Sequence, residues 1–292
     1  MTIQSRHVEF ESDGARLCGT LFHREGRGDE SRPGVIITGA WTTVKEQMPT
    51  VYARALAEHG YAALVFDFRG WGASEGGPRY MEDPVAKTAD IQSAADFMGT
   101  LDEVDADHLS GVGICASSGY MADAVASHDK LGKLVMIAAW LHDPEMAKGI
   151  YGGDDAVATL IAKGRAAAAG EEPAIITAAS ATDDTSLMYQ APYYTEEDRG
   201  LISAYDNKFN LASWEPWLTY DAQTIADRLA KPALIICSEA AALPAGAHAF
   251  AKRTKEPVEE LWLDDVSQFD FYDRPDVVAR AADATADFLQ DK

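Results

Sequence analysis

Residues 108–120 read HLSGVGICASSGY, and the rest of the chain is organised around this stretch. An apolar run containing Val112 and Ile114 stops abruptly at Cys115. Ala116, Ser117, Ser118 and Gly119 follow, and then the helix-forming run Tyr120 to Val125. A strand that passes through a tight turn into a helix presents the turn residue at the top of a sheet, the layout of a nucleophile elbow. Gly113, two residues before Cys115, lets the strand bend, and the small residues after it let the helix pack close. A free cysteine is also often a small buried hydrophobe, so the neighbouring elements must decide between a reactive and an inert Cys115.

Those elements alternate. Residues 7–23 show period-two patterning broken at Asp13-Gly14, which predicts an antiparallel hairpin. Asp29 to Pro33 reads as a turn, and Gly34 to Thr38 as a buried strand ending in Gly39-Ala40-Trp41. A helix over about 44–59, a strand from Tyr61 to Phe68, a helix over roughly 84–101 and a strand from Lys133 to Ala139 follow. Strands alternating with helices of this length imply a mostly parallel sheet covered on both faces, an α/β architecture. Ligands of such sheets bind at the carboxyl ends of the strands. The loops at 39–47, 115–119 and 140–143 should therefore gather in one place. From 143 to 228 the alternation stops. The segment is Ala-rich over 157–170 and then dense in aromatics, among them Tyr194, Tyr205, Phe209, Trp214 and Trp217, and it reads as a helical lid. Alternation resumes with Ala233 to Cys237, a helix over 244–254, Glu259 to Leu263 and a last helix over 275–290. The predicted organisation is a core of residues 1–142 and 229–292, with the lid, 143–228, inserted after the sixth strand.

Composition narrows the function classes. The 292 residues, 47% hydrophobic, can bury one large core. No apolar run approaches a membrane span, and the N-terminus lacks the basic start and apolar middle of a signal peptide, so a cytoplasmic location is expected. A net charge of −22 argues against nucleic acid and anionic membranes as partners. Three scattered cysteines, Cys18, Cys115 and Cys237, fit neither a disulfide framework nor a clustered zinc site. The expected partner is a small-molecule substrate, with no cofactor and no metal; a homodimer is compatible with the sequence.

Three features together resemble the α/β-hydrolase superfamily. They are Asp67-Phe68-Arg69-Gly70-Trp71-Gly72-Ala73-Ser74, which looks like the turn after that family's fourth strand, the elbow Gly113-Ile114-Cys115-Ala116-Ser117, and the order of strands around a lid. The resemblance implies the α/β-hydrolase fold. Cysteine at the elbow is similar to the dienelactone-hydrolase branch, in which a glutamate after the third strand touches the resting cysteine. Glu46 is the candidate for that part, and it could equally cap or flank its helix. Asp67 and Arg69 read as pins of their turn rather than as catalytic groups.

The sequence departs from the family where the base should be. The resemblance implies a histidine in the loop after the last strand, and Gln268 stands there. A glutamine amide can orient or donate a hydrogen bond but cannot take a proton near neutral pH. The loop that should hold the family's acid, Ser238 to Pro244, carries alanines, with Glu239 the nearby carboxylate. Of the seven histidines only His142 falls just past the carboxyl end of a strand beside the elbow. It is the candidate base, oriented by Asp143 or Glu46; the alternative is that His142 and Asp143 cap the helix beginning at Pro144. Ser117 is the rival nucleophile. With Cys115 as nucleophile, the oxyanion would meet the backbone N–H of Ala116 and one from the Ala40-Trp41 loop. Trp41, Trp140 and Tyr120 are candidate walls of the substrate pocket. The expected activity is hydrolysis or acyl transfer on a small ester, thioester or lactone. The alternative is a non-hydrolytic member, a ligand-binding protein or a lyase or isomerase, that has lost the usual pair.

Overall fold

The alternating N-terminal pattern folds as a hairpin because Asp13 and Gly14 both take positive φ (46° and 77°), the twist that joins antiparallel strands. Its strands β1 (Ile3–Ser12) and β2 (Ala15–Arg24) pair with Ser12 opposite Ala15. The chain is described here from a computed structural model covering residues 2–26 and 31–290. Asp29 and Glu30 of the turn expected at Asp29 to Pro33 therefore lie outside the described residues, and Arg32 and Pro33 already belong to a strand.

From there the chain winds an eight-stranded sheet. Strands β3 (Arg32–Thr38), β4 (Ala62–Phe66), β5 (Val104–Ile114) and β6 (Leu131–Ile137) are followed late in the chain by Ala233–Cys237 and Val258–Trp262. In space the order is β1-β2-β4-β3-β5-β6, then the two late strands. Strand β2 is antiparallel to both its neighbours, β1 and β4, and the remaining pairings of this sheet are parallel. Helices α1 (Met48–Glu58), α2 (Pro84–Met98) and α3 (Ser117–Ser127) cross between strands, and Pro275–Gln290 closes the chain. The central strands are buried on both faces, so Val35, Ile36 and Ile37, or Leu134 to Ile137, read as continuous apolar runs. Helix α1 starts later than the sequence suggests. Thr42 takes φ 63° and the backbone turns through residues 43–47 before Pro49 opens the helix.

The segment after β6 is not helical throughout. Helices α4 (Pro144–Ile150) and α5 (Asp154–Ala168) are followed by two small sheets, Ile175–Thr177 with Lys208–Asn210 and Ala179–Ser180 with Met188–Tyr189. Two short helices, Pro192–Thr195 and Trp214–Leu218, complete it. Its aromatic density becomes a packed layer against the core: the Trp41 ring lies 5.0 Å from Phe209 and 5.1 Å from Trp217. No helix among the described residues is long and apolar enough to cross a membrane.

Candidate active site

The elbow is built by close approach. Strand β5 runs directly into α3, and a Cβ on Gly113 would lie 2.5 Å from the Ser117 carbonyl oxygen, so only glycine allows this turn. Cys115 sits between them at φ 57°, a left-handed conformation that costs a non-glycine residue roughly 1–3 kcal/mol. The turn raises the thiol above the strand ends, where it is 7% exposed at the floor of a cavity of about 590 Å³. No charged side chain is among the residues lining that cavity; the walls are mostly apolar and aromatic, including Trp41, Trp140, Trp217, Met188 and Phe269.

Three groups beside the Cys115 sulfur favour its charged form. They are the hydroxyl of Tyr272 and the backbone N–H groups of Ala116 and Trp41. Burial pushes the thiol pKa up, and the three donors offset part of that. The cysteine therefore rests as a thiol, with its sulfur in a nest of donors suited to a developing anion. The Trp41 donor belongs to a loop held from several sides. The Thr42 N–H donates to Glu82 (2.7 Å), the Lys45 N–H donates to Asp67 (2.8 Å), and the Thr43 hydroxyl donates to the Ala40 carbonyl (2.6 Å).

Two buried ion pairs anchor this loop. Lys45 Nζ lies 2.6 Å from Asp67, whose carboxylate also accepts the Ala73 N–H, so the Asp67 to Ser74 turn is tied to the loop. Arg69 holds the same turn to α2 through Asp90. The second pair is Lys87 with Glu82, at 2.6 Å. The Lys87 ammonium sits over the rings of Phe68, Trp71 and Tyr120, at 4.7, 4.9 and 5.6 Å.

Several sequence candidates do not meet at the thiol. His142 is buried with both ring nitrogens engaged: Trp140 Nε1–H donates to Nδ1 (3.1 Å) and Nε2–H donates to the Trp217 carbonyl (2.8 Å). Burial lowers its pKa, and it is absent from the cavity wall. It was the candidate base because it follows a strand end, with a helix-capping role as the alternative. Trp140, two residues away, and Trp217, far along the chain, take up its nitrogens instead. Asp143 caps α4 through the Met146 N–H (2.8 Å), and Glu46 pairs with Lys45 (2.6 Å). Glu239 pairs with His248 (2.7 Å) outside the cavity, leaving Ala240 and Ala242 on its wall. Ser117 is fully buried with its hydroxyl turned back on Ile114, donating to its carbonyl (3.1 Å) and accepting its N–H (3.2 Å). Tyr120 donates to Glu82 (3.3 Å) rather than facing the cavity.

Gln268 does line the cavity. Its Oε1 accepts the Ala242 N–H (2.9 Å), and its Nε2 donates to the Ala138 carbonyl (3.0 Å) and to the Tyr272 hydroxyl (2.9 Å). The sequence reading missed Tyr272. It lies in a short helix (Asp270–Asp273) just after Gln268, and only the folded chain brings it to residue 115. Away from this site, the His7, Glu9 and Cys18 ligand atoms on the hairpin lie near one another, a group the sequence reading did not foresee. Arg16 already lies 3.4 Å from the Glu9 carboxylate there.

A sheet of this order, with a strained thiol on a strand-to-helix turn under an aromatic cover, defines an α/β-hydrolase architecture. The chain belongs to the alpha/beta hydrolase family, whose model matches residues 35–281. Its fold is similar to that of the hypothetical protein PA2218 from Pseudomonas aeruginosa, with a TM-score of 0.84 and 25% identity over 98% of this chain and 93% of that one. In direct sequence comparison, PA2218 is 32% identical over 148 residues, half of this chain and 40% of that protein. A thiohydrolase of Eupenicillium brefeldianum is 37% identical over 122 residues, 41% of this chain and 38% of that protein. The polyketide transferase claH of Penicillium crustosum is 33% identical over 121 residues, 40% of this chain and 39% of that protein. These alignments span about two fifths of each curated relative.

Proposed function

We propose that the protein transfers an acyl group from a thioester, through an acyl-enzyme on Cys115, to a second nucleophile such as a thiol. The observation that carries this reading is the Cys115 thiol, strained on its elbow, faced by two backbone N–H groups and the Tyr272 hydroxyl, with no imidazole on the cavity wall. Thiol–thioester exchange needs no strong base, because the leaving sulfur can take the proton that the attacking thiol gives up. Attack by water on the acyl-enzyme is harder, because water is a far weaker acid than a thiol and general-base help is worth about 10²–10⁴-fold. The site thus favours transfer over hydrolysis, and esters and lactones, with poorer leaving groups, are the slower substrates. The uncharged, aromatic wall suits an apolar or aromatic acyl group. A thiohydrolase and a polyketide transferase among the relatives support acyl chemistry of this kind.

Incubation with an apolar acyl thioester of N-acetylcysteamine, followed by intact-mass measurement, tests the reading. The expected result is a single acyl adduct that Cys115→Ala abolishes and that added thiol discharges faster than water does. An adduct that persists in Cys115→Ala, or none in the wild type, would reject it in favour of a binding protein.

A further inference from the structure

We propose that Tyr272 carries the proton of the acyl-transfer step, working between the Cys115 sulfur and the departing sulfur where an imidazole would otherwise stand. This rests on the acyl-transfer reading above. Gln268 fixes the tyrosine. The Ala242 N–H requires an acceptor and the Ala138 carbonyl requires a donor, so the amide can sit only one way round. Its remaining N–H then donates to the Tyr272 oxygen at 2.9 Å. With that approach occupied, the tyrosine hydroxyl is left with two neighbours, the Cys115 sulfur and Tyr194. The residue that replaces the expected histidine thus holds the phenol beside the thiol and does no proton transfer itself.

The step balances without an external base. Cys115 Sγ forms a bond to the thioester carbonyl carbon, and the oxyanion is met by the Ala116 and Trp41 N–H groups. The C–S bond to the donor thiol then breaks. The Cys115 thiol proton passes to the Tyr272 oxygen while the Tyr272 proton passes to the departing sulfur, so thioester and thiol become acyl-cysteine and free thiol. Burial holds the phenol well above its ordinary pKa, so Tyr272 relays a proton and does not store a charge.

The test is single-turnover acylation of wild type and Tyr272→Phe by a matched pair of thioesters, one releasing an alkyl thiol and one an acidic aryl thiol. An aryl thiolate leaves without a proton, whereas an alkyl thiolate needs one. The expected result is a loss of about 10²-fold with the alkyl thioester and little loss with the aryl one. Equal slowing of both, as a merely structural role would give, overturns the relay, and so does an alkyl rate within about threefold of wild type. Should Tyr272→Phe not fold, Gln268→Met carries the same comparison: it removes the donor that aims the phenol and should slow the alkyl thioester selectively. Failure of the wild type to acylate with either thioester would instead reject the acyl-transfer reading itself.

Discussion

The Glu82–Lys87 pair under the Trp41 loop offers a sharp test of how this site is held together. The Glu82 side chain is fully buried and Lys87 nearly so, and they meet at 2.6 Å. Glu82→Gln keeps the shape and can still accept the Thr42 N–H, but it removes the charge and turns an amide N–H group on Lys87 and the Tyr120 hydroxyl, whose hydrogen bonds the carboxylate accepted. The Lys87 ammonium is then left in an aromatic cage with its charge uncompensated, and breaking one side of a buried pair costs about 3–5 kcal/mol. The cage itself holds the cation by about 2 kcal/mol through cation–π attraction, which places the loss near the lower end. With about 2–4 °C per kcal/mol in a domain of about 150–250 residues, a fall in melting temperature of about 6–12 °C is expected. Lys87→Met, which strands the carboxylate, should cost a similar amount. The double variant removes both charges and should lie within about 1–2 kcal/mol of wild type, because a well-packed neutral replacement of a buried pair is often near neutral. Urea unfolding of all four proteins closes the cycle, with an expected coupling of about 4–5 kcal/mol. Burial already lowers the Lys87 pKa. In Glu82→Gln it falls further below its unfolded value, so the unfolded state binds more protons and the deficit should shrink as pH rises. A coupling below about 1 kcal/mol, or a deficit that grows with pH, would refute the reasoning.

Two further outcomes follow from the site. His142 is held neutral between a donor and a carbonyl, and its folded pKa lies below the unfolded value of about 6.5. Its contribution is complete above that value and is lost as pH falls below it, at up to about 1.4 kcal/mol per pH unit. Urea midpoints at pH 7.5 and 5.5 should therefore differ less in His142→Gln than in wild type, and equal differences would reject the assignment. Gln268→His should speed discharge of the Cys115 acyl-enzyme to water by about 10²-fold. It should also lower stability by about 1–3 kcal/mol through the partners the amide leaves behind. Adduct decay followed by mass measures the first effect, and a folded variant with unchanged decay would count against it.

Much of this was legible in the sequence because it depends on local pattern. The hairpin follows from alternation around Asp13-Gly14, and the stop of an apolar run at Cys115 marks a strand end. The Asp67 to Ser74 turn was readable as structural, and Gln268 as a residue near the elbow. The failures share a cause: each depends on a partner that sequence distance hides. His142 looked free because nothing in residues 140–143 shows that a carbonyl 75 residues later takes its Nε2. Glu46 looked like a companion of the cysteine, yet its neighbour Lys45 claims it. Tyr272 carries no motif, and its hydroxyl reaches the thiol only because Gln268 and the short helix after it turn it inward.

The positive φ of Cys115 sets durability against reactivity at a single position. Glycine adopts that conformation freely, so exchange there would relieve strain of about 1–3 kcal/mol while deleting the one thiol among the residues lining the cavity. A lineage kept only for ruggedness would drift toward glycine at this position and retain a firm, silent shell. One in which the chemistry mattered would have to tolerate the bent backbone and recover firmness elsewhere, for which the ion pairs beneath the loop are natural places.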